Sequence, residues 1–327
     1  MLETTLRLAF SLGTFAAMAG WEALRPRGPS LEPRWRRWRA NLGLALVNAV
    51  LVRLIPAATP VASAAFAAGR GAGLLHWTSS PAWLGWIVTI LALDFAVYLQ
   101  HVMFHAVPLF WRLHRVHHAD LTLDATTGLR FHPVEIALSA GLKSLVVVLL
   151  GAPAGAVLAF EILLNASSLF NHGNVVIREE IDRCLRRLVV TPDMHRIHHS
   201  RRVVETNSNF GFSFSLWDRL CGTYRAEPAL GQEGMEIGLI EYRTPLRLRD
   251  LLVLPLRESG APRTMEPQEL ETRMSRPDPP AVLDVRASVE LGGPLGRLDG
   301  AVNIPIDELP RHLSELSGWR TRLLVPV

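Results

Sequence analysis

The sequence predicts an all-α integral membrane protein with about four transmembrane helices. A cytoplasmic helical cap carries a histidine-rich dimetal site, and a short α/β-like fragment follows at the carboxyl end. Three observations carry this expectation. Of 327 residues, 49% are apolar and the mean hydropathy is +0.20, high for a water-soluble enzyme. Several apolar stretches approach the roughly 20 residues that a bilayer requires, and charged or Pro/Gly-rich breaks separate them. Eleven of the twelve histidines lie between His76 and His199, eight of them in three tight boxes.

Taken in chain order, Leu6–Leu24 fits a first span. Glu3 offsets Arg7, so the amino end lacks the basic region of a cleaved signal peptide, and the segment reads as a retained helix. Arg25–Arg39 holds six Arg, one Glu and two Trp. No nucleic-acid recognition fold accompanies this run and it lies between apolar segments, so it reads as a cytoplasmic loop with Trp at the interface. Asn41–Ile55 begins a second span, with Arg53 near its far end. Pro56 and Pro60 break it, and Val61–Leu75 reads as an interfacial or short spanning piece. Ala82–Leu99 is a third span anchored by Trp83 and Trp86. Ile136–Phe170 is too long for one helix, and Gly151-Ala-Pro153-Ala-Gly155 divides it into a hairpin that enters and returns. With the arginine run on the cytoplasmic side, the positive-inside rule brings every histidine box to that side. Cys184 and Cys221 form neither a disulfide framework nor a metal-type pair and read as packing residues.

The boxes are His101-x3-His105, His114-x2-His117-His118 and His195-x2-His198-His199. Spacings of three and four put the rings of each box on one helical face, and neutral imidazole is the commonest metal ligand. Eight imidazoles suffice for two metal ions with positions left open. Nitrogen donors suit Fe, Zn, Cu or Ni, so spacing alone does not choose the metal. His172, in Phe170-Asn-His-Gly-Asn174, is a further expected ligand. His132, Asn171, Asn174, Asp94 and Asp193 stand as additional ligands or as partners for ligands. Asp120, Asp124, Glu135 and Glu161 are further carboxylates able to orient an imidazole. His76 and His312 stand alone and read as structural or solvated. A membrane metal-binding or transport protein is the competing class; it requires ligands deep in the bundle and a polar path, for which the sequence offers few groups.

The three boxes resemble the fatty acid hydroxylase/sterol desaturase superfamily, and flanking motifs extend the likeness to its bacterial sterol desaturase members. Those motifs are Leu109–His118, Arg130-Phe-His-Pro133, Phe170–Asn174, Thr191–Ser200, Ser208-Asn-Phe-Gly211 and Leu216–Tyr224. The resemblance covers residues 80–230 closely. It implies a non-haem site of two iron ions that uses O2 and an external electron-transfer protein to hydroxylate or desaturate a membrane lipid, such as a fatty acyl chain, sterol or other isoprenoid. The implied ligands are His101, His105, His114, His117, His118, His195, His198 and His199, with His172. The implied location is the bacterial inner membrane, and no nucleic-acid partner is expected.

Residues 1–255 are thus expected to form the membrane domain and 256–280 a linker, with five Pro between Arg257 and Pro280. Residues 281–327, with Ala281–Arg286, Gly300–Pro305 and Ile306–Pro310, resemble the first half of a rhodanese domain. No Cys follows Cys221, so sulfur transfer there is excluded. The strand opening at Leu323 ends with the sequence given, and the segment reads as incomplete or as a poorly ordered tail.

Overall fold

The computed structural model describes residues 2–30, 33–54, 59–78, 81–257, 267–275, 277, 279–293, 296–312, 315–316 and 324–326. Ile55, Pro56, Pro262, Leu323 and Val327, used in the sequence reading, lie outside the described residues. The chain separates into two units, Met1–Ser259 and Gly260–Val327.

Seven helices frame the first unit: α1 (Leu2–Leu24), α2 (Arg34–Leu54), α3 (Pro60–Arg70), α4 (Ala82–Ala106), α5 (Pro108–His118), α6 (Pro133–Leu150) and α7 (Ala154–Asn171). The starts of α5 and α6 follow from Pro at the first turn, where its missing N–H is no loss. Gly151 ends α6 in the left-handed region at φ 68°, and its N–H returns to the Val147 carbonyl at 2.9 Å. A Cβ there would sit 2.7 Å from the Ala72 carbonyl oxygen, so glycine is required twice over. The chain turns back into α7 after Pro153, as the expected hairpin. Leu93 and Val97 of α4, Val147 of α6, and Val157 and Phe160 of α7 close a buried apolar core together with Phe212.

Among the described residues, three helices are long and apolar enough to cross a membrane: α4, α6 and α7. α1 and α2, expected as the first two spans, are helices of 23 and 21 residues but fall outside that set. The reason for α2 is plain. Arg34–Arg39, the second part of the run expected as a loop, forms its first turns, and Arg37 is buried rather than facing a membrane surface. The cysteines also depart from expectation: both are exposed and free.

The second unit holds a helix over Pro267–Met274, inside the expected linker, and a parallel three-stranded sheet. Its strands are β1 (Ala281–Asp284), β2 (Val302–Asn303) and β3 (Leu324–Pro326), in the order β2-β1-β3. β1 is buried along its length, and Asp284 at its end accepts from the Arg286 guanidinium at 3.0 Å.

Candidate metal centre

Four helices bring the boxes together. α4 carries His101 and His105, and α5 carries His114, His117 and His118. His172 sits just past the last turn of α7. A short helix α9 (Pro192–His198) follows α8 (Glu179–Leu185). It starts on Thr191, whose hydroxyl accepts from the Met194 N–H at 3.4 Å, and Pro192; it presents His195 and His198, with His199 at its end. Nine histidines then fall into two groups. His101, His105, His114, His118 and His198 form one; His117, His172, His195 and His199 form the other. Within each group, one ring nitrogen per residue lies within 4.8 Å of all the others. The groups adjoin, since the His118 and His199 rings stack at 4.5 Å between centroids.

The tautomers show what this arrangement suits. His101 Nδ1 faces the Phe210 carbonyl at 2.7 Å, His172 Nδ1 the Ser168 carbonyl at 2.7 Å, and His198 Nδ1 the Ser208 carbonyl at 2.9 Å. His117 Nδ1 faces the Arg130 carbonyl at 3.3 Å. A carbonyl only accepts, so each of these Nδ1 atoms carries the proton and each Nε2 of a neutral ring is a bare lone pair. With Glu135 ionised, His114 likewise donates through Nδ1 to its Oε1 at 2.7 Å. Yet His117 and His172 bring their Nε2 atoms to 2.9 Å, and His101 and His114 bring theirs to 3.0 Å. Two lone pairs so close repel unless a cation lies between them. About 3.0 Å is also the spacing of two donors at right angles around a metal with bonds of about 2.1 Å. The Nε2 atoms of His105, His118, His198 and His199 are buried with no hydrogen-bond partner, a costly state that metal ligation removes. The donor set therefore fits two transition-metal ions.

Electrostatics agree. Burial pushes the His114 and His172 imidazoles down to about 3, opposed at His172 by its carbonyl partner. Burial, then neighbouring imidazoles, holds His117, His118, His195, His198 and His199 well below the ordinary value. These rings are neutral at pH 7 and ready to ligate without releasing protons.

A buried ion cluster supports the second group. Arg37 donates to Asp120 at 3.1 Å and to Asp124 at 2.9 Å. Burial would raise the Asp120 carboxyl, but Arg37 and Arg130 outweigh it and hold it well below the usual range. Asn41 accepts from Arg130 at 3.0 Å, and Arg130 donates from Nε to the Val116 carbonyl at 2.9 Å. The backbone of that same Arg130 orients His117.

The remaining sequence candidates lie elsewhere. His132 caps α6, accepting from the Val134 N–H at 3.2 Å. Asn171 donates to the Phe212 carbonyl at 3.0 Å and Asn174 to the Gly28 carbonyl at 2.9 Å. Asp94 accepts from Trp217 Nε1 at 2.9 Å, and Asp193 pairs with Arg27. None of the five is in either histidine group; each ties loops or helices together. Of the named carboxylates, only Glu135 bonds a histidine of the groups. The carbonyl partners were invisible in the sequence because every residue has a carbonyl. Arg37 was misread because a basic run looks the same whether solvated or paired.

The fatty acid hydroxylase family matches residues 86–223, which include all nine histidines. Ornithine lipid hydroxylase OlsE of Rhizobium tropici is 30% identical over 142 residues, 43% of this chain and 42% of that protein. Alkylglycerol monooxygenase of Caenorhabditis elegans is 28% identical over 142 residues, 43% of this chain and 27% of that protein. The Homo sapiens alkylglycerol monooxygenase is 26% identical over 147 residues, 43% of this chain and 31% of that protein. The match thus spans less than half of each of these curated relatives, and no solved structure matches. These likenesses support the superfamily that the histidine boxes resemble, over residues 86–223.

Proposed function

We propose that this protein is an O2-dependent membrane lipid hydroxylase whose two histidine groups each hold one iron ion. The observation that carries the reading is the pairing of bare Nε2 atoms at 2.9 and 3.0 Å inside two adjoining buried groups. Five donors in one group and four in the other stay below octahedral saturation, which leaves positions for O2 or substrate. Bound iron would supply the oxidising chemistry needed to attack an aliphatic C–H bond, which side chains alone do not provide.

The chain's own residues do the rest. Glu135 and four backbone carbonyls hold the Nδ1 protons of His101, His114, His117, His172 and His198 and so aim those five Nε2 atoms inward. Phe131 stacks on His117 at 4.5 Å, and Phe210 packs edge-on against His101 at 5.5 Å, which excludes water from the centre. A cavity of about 380 Å³ reaches His101 and His114 from among α1, α4, α6 and α7, wide enough for part of a lipid. The similarity to a lipid hydroxylase and to alkylglycerol monooxygenases favours hydroxylation over desaturation. An external electron-transfer protein is the expected reductant. Arg36 and Arg39, exposed at the start of α2, support a cytoplasmic-facing centre, and the reading places the protein in the bacterial inner membrane.

The transport reading gains one observation, since the structure gathers more polar groups into a cavity than the sequence suggested. The histidine donors, however, gather at one end of that cavity rather than along a path through it, which favours a fixed centre. For residues 281–327, a partial rhodanese-like layer remains the proposed reading of the parallel sheet.

Metal analysis of the purified protein tests the main reading. Two irons per chain are expected, and one labile zinc or no metal overturns it. His117→Ala should abolish product formation while the protein stays in the membrane.

A further inference from the structure

The cavity that reaches the histidine centre has a charged far end. Arg7, Lys143 and Glu161 line it, and a second cavity of about 560 Å³ shares those residues with it and extends to Arg53 and Thr59 at the ends of α2 and α3. Arg7 is already paired, donating to Glu161 at 2.5 Å and to Glu3 at 2.9 Å. Lys143 is not. Its ammonium has no hydrogen-bond or ion-pair partner among the described residues, and Glu161, which attracts it electrostatically, is engaged by Arg7. Lys143 is also the single lysine of the sequence. It stands midway along α6, a helix apolar and long enough to cross a membrane. A charge so placed is costly and needs a counter-ion. In the second cavity three cations, Arg7, Arg53 and Lys143, face two carboxylates, Glu3 and Glu161, which leaves one positive charge in excess there.

We propose that Lys143 binds the oxyanion head, carboxylate or phosphate, of a single lipid whose tail runs up the cavity to His101 and His114. This deepens the hydroxylase reading above and rests on it for the identity of the reacting end. The polar lining supports the assignment: Ser11 and Asn165, bonded to each other at 2.9 Å, face the same space, as does Ser139 one turn before Lys143. The cavity turns apolar toward the histidines, where Val97, Phe104, Phe131 and Phe212 line it. Eight residues of helix separate Glu135, beside His114, from Lys143, which is about 12 Å along the axis. A lipid held at Lys143 therefore presents a carbon well down its chain to the centre, not one next to its head.

The test is binding to the metal-free protein in detergent, measured by equilibrium dialysis with labelled oleate, oleyl phosphate and uncharged oleyl alcohol. At least one anion should bind about ten-fold or more tightly than the alcohol, and which of the two does so identifies the head. Lys143→Met and Lys143→Gln should bring that anion down to the affinity of the alcohol, while Lys143→Arg keeps most of the preference. Two variants guard against one that fails to fold. Equal binding of all three lipids by the native protein overturns the proposal, as does an anion preference that survives in a folded Met or Gln variant. The assay uses no metal, so a failed iron analysis leaves its outcome intact.

Discussion

Glu135 offers the sharpest test of the metal centre. Its carboxylate accepts from His114 Nδ1 at 2.7 Å, and both side chains are nearly sealed, at 4% and 2% exposure. Glu135→Ala leaves the His114 Nδ1–H buried without an acceptor, a loss of about 1–3 kcal/mol. Removing the partner of a ligating histidine costs about 10–100-fold in metal affinity, or about 1.4–2.7 kcal/mol, and the two figures agree. Glu135→Gln keeps an acceptor oxygen but loses the charge, which halves the strength of such a bond, so its effect should be about ten-fold or less. The assay is a metal-competition titration against a chelator on purified protein, resolving two sites. Only the site of His101, His105, His114, His118 and His198 should weaken, because Glu135 touches no member of the other group. Full affinity at both sites in Glu135→Ala, or equal weakening of both, refutes the idea that this carboxylate orients His114.

Other outcomes follow from the same geometry. Arg37→Met removes the guanidinium that Asp120 and Asp124 share, leaving Asp120 only the longer pair with Arg130, and should lower stability by about 3–5 kcal/mol in chemical unfolding. Gly128→Ala would place a Cβ 2.3 Å from the Ser168 carbonyl oxygen, the acceptor of His172, so it should cost about 1–3 kcal/mol and weaken the second metal site selectively. Acid acts through the imidazoles. The unfolded chain takes up protons on His114 and His172 below their ordinary 6.5, while the folded metal-free protein resists until about 3. Its stability should therefore be full above 6.5 and fall as pH drops toward 3, by on the order of 2 kcal/mol per group at pH 5. A pH-independent unfolding midpoint between pH 7 and 5 would contradict the buried, neutral assignment.

The eight boxed histidines were legible because their chemistry and spacing are local, whereas His172 stands alone in its motif. A separation of three or four residues puts rings on one helical face whatever the rest of the chain does, and the boxes needed no tertiary information to be found. The hairpin at Gly151 and Pro153 was legible for the same reason, since a left-handed glycine and a proline act on their own backbone. The arginine run was not. A guanidinium on a helix start and one in a solvated loop have the same sequence, and only the approach of Asp120 and Asp124, more than eighty residues away, decides between them.

What the sequence alone determined is thus the donor inventory and the resemblance to a lipid-oxidising superfamily, both written in short motifs. What tertiary structure decided is how those donors divide into five and four. His117 and His118 are neighbours in the chain yet serve different groups, because adjacent residues on a helix point about 100° apart and His172 and His198 approach from opposite elements. It also decided which protons are held and which lone pairs are bare, since the carbonyls and the carboxylate that fix them come from across the fold. The unpaired Lys143 belongs to the same class. A lone lysine in an apolar stretch carries no message until the helices around it leave a cavity and give the nearby carboxylate to Arg7.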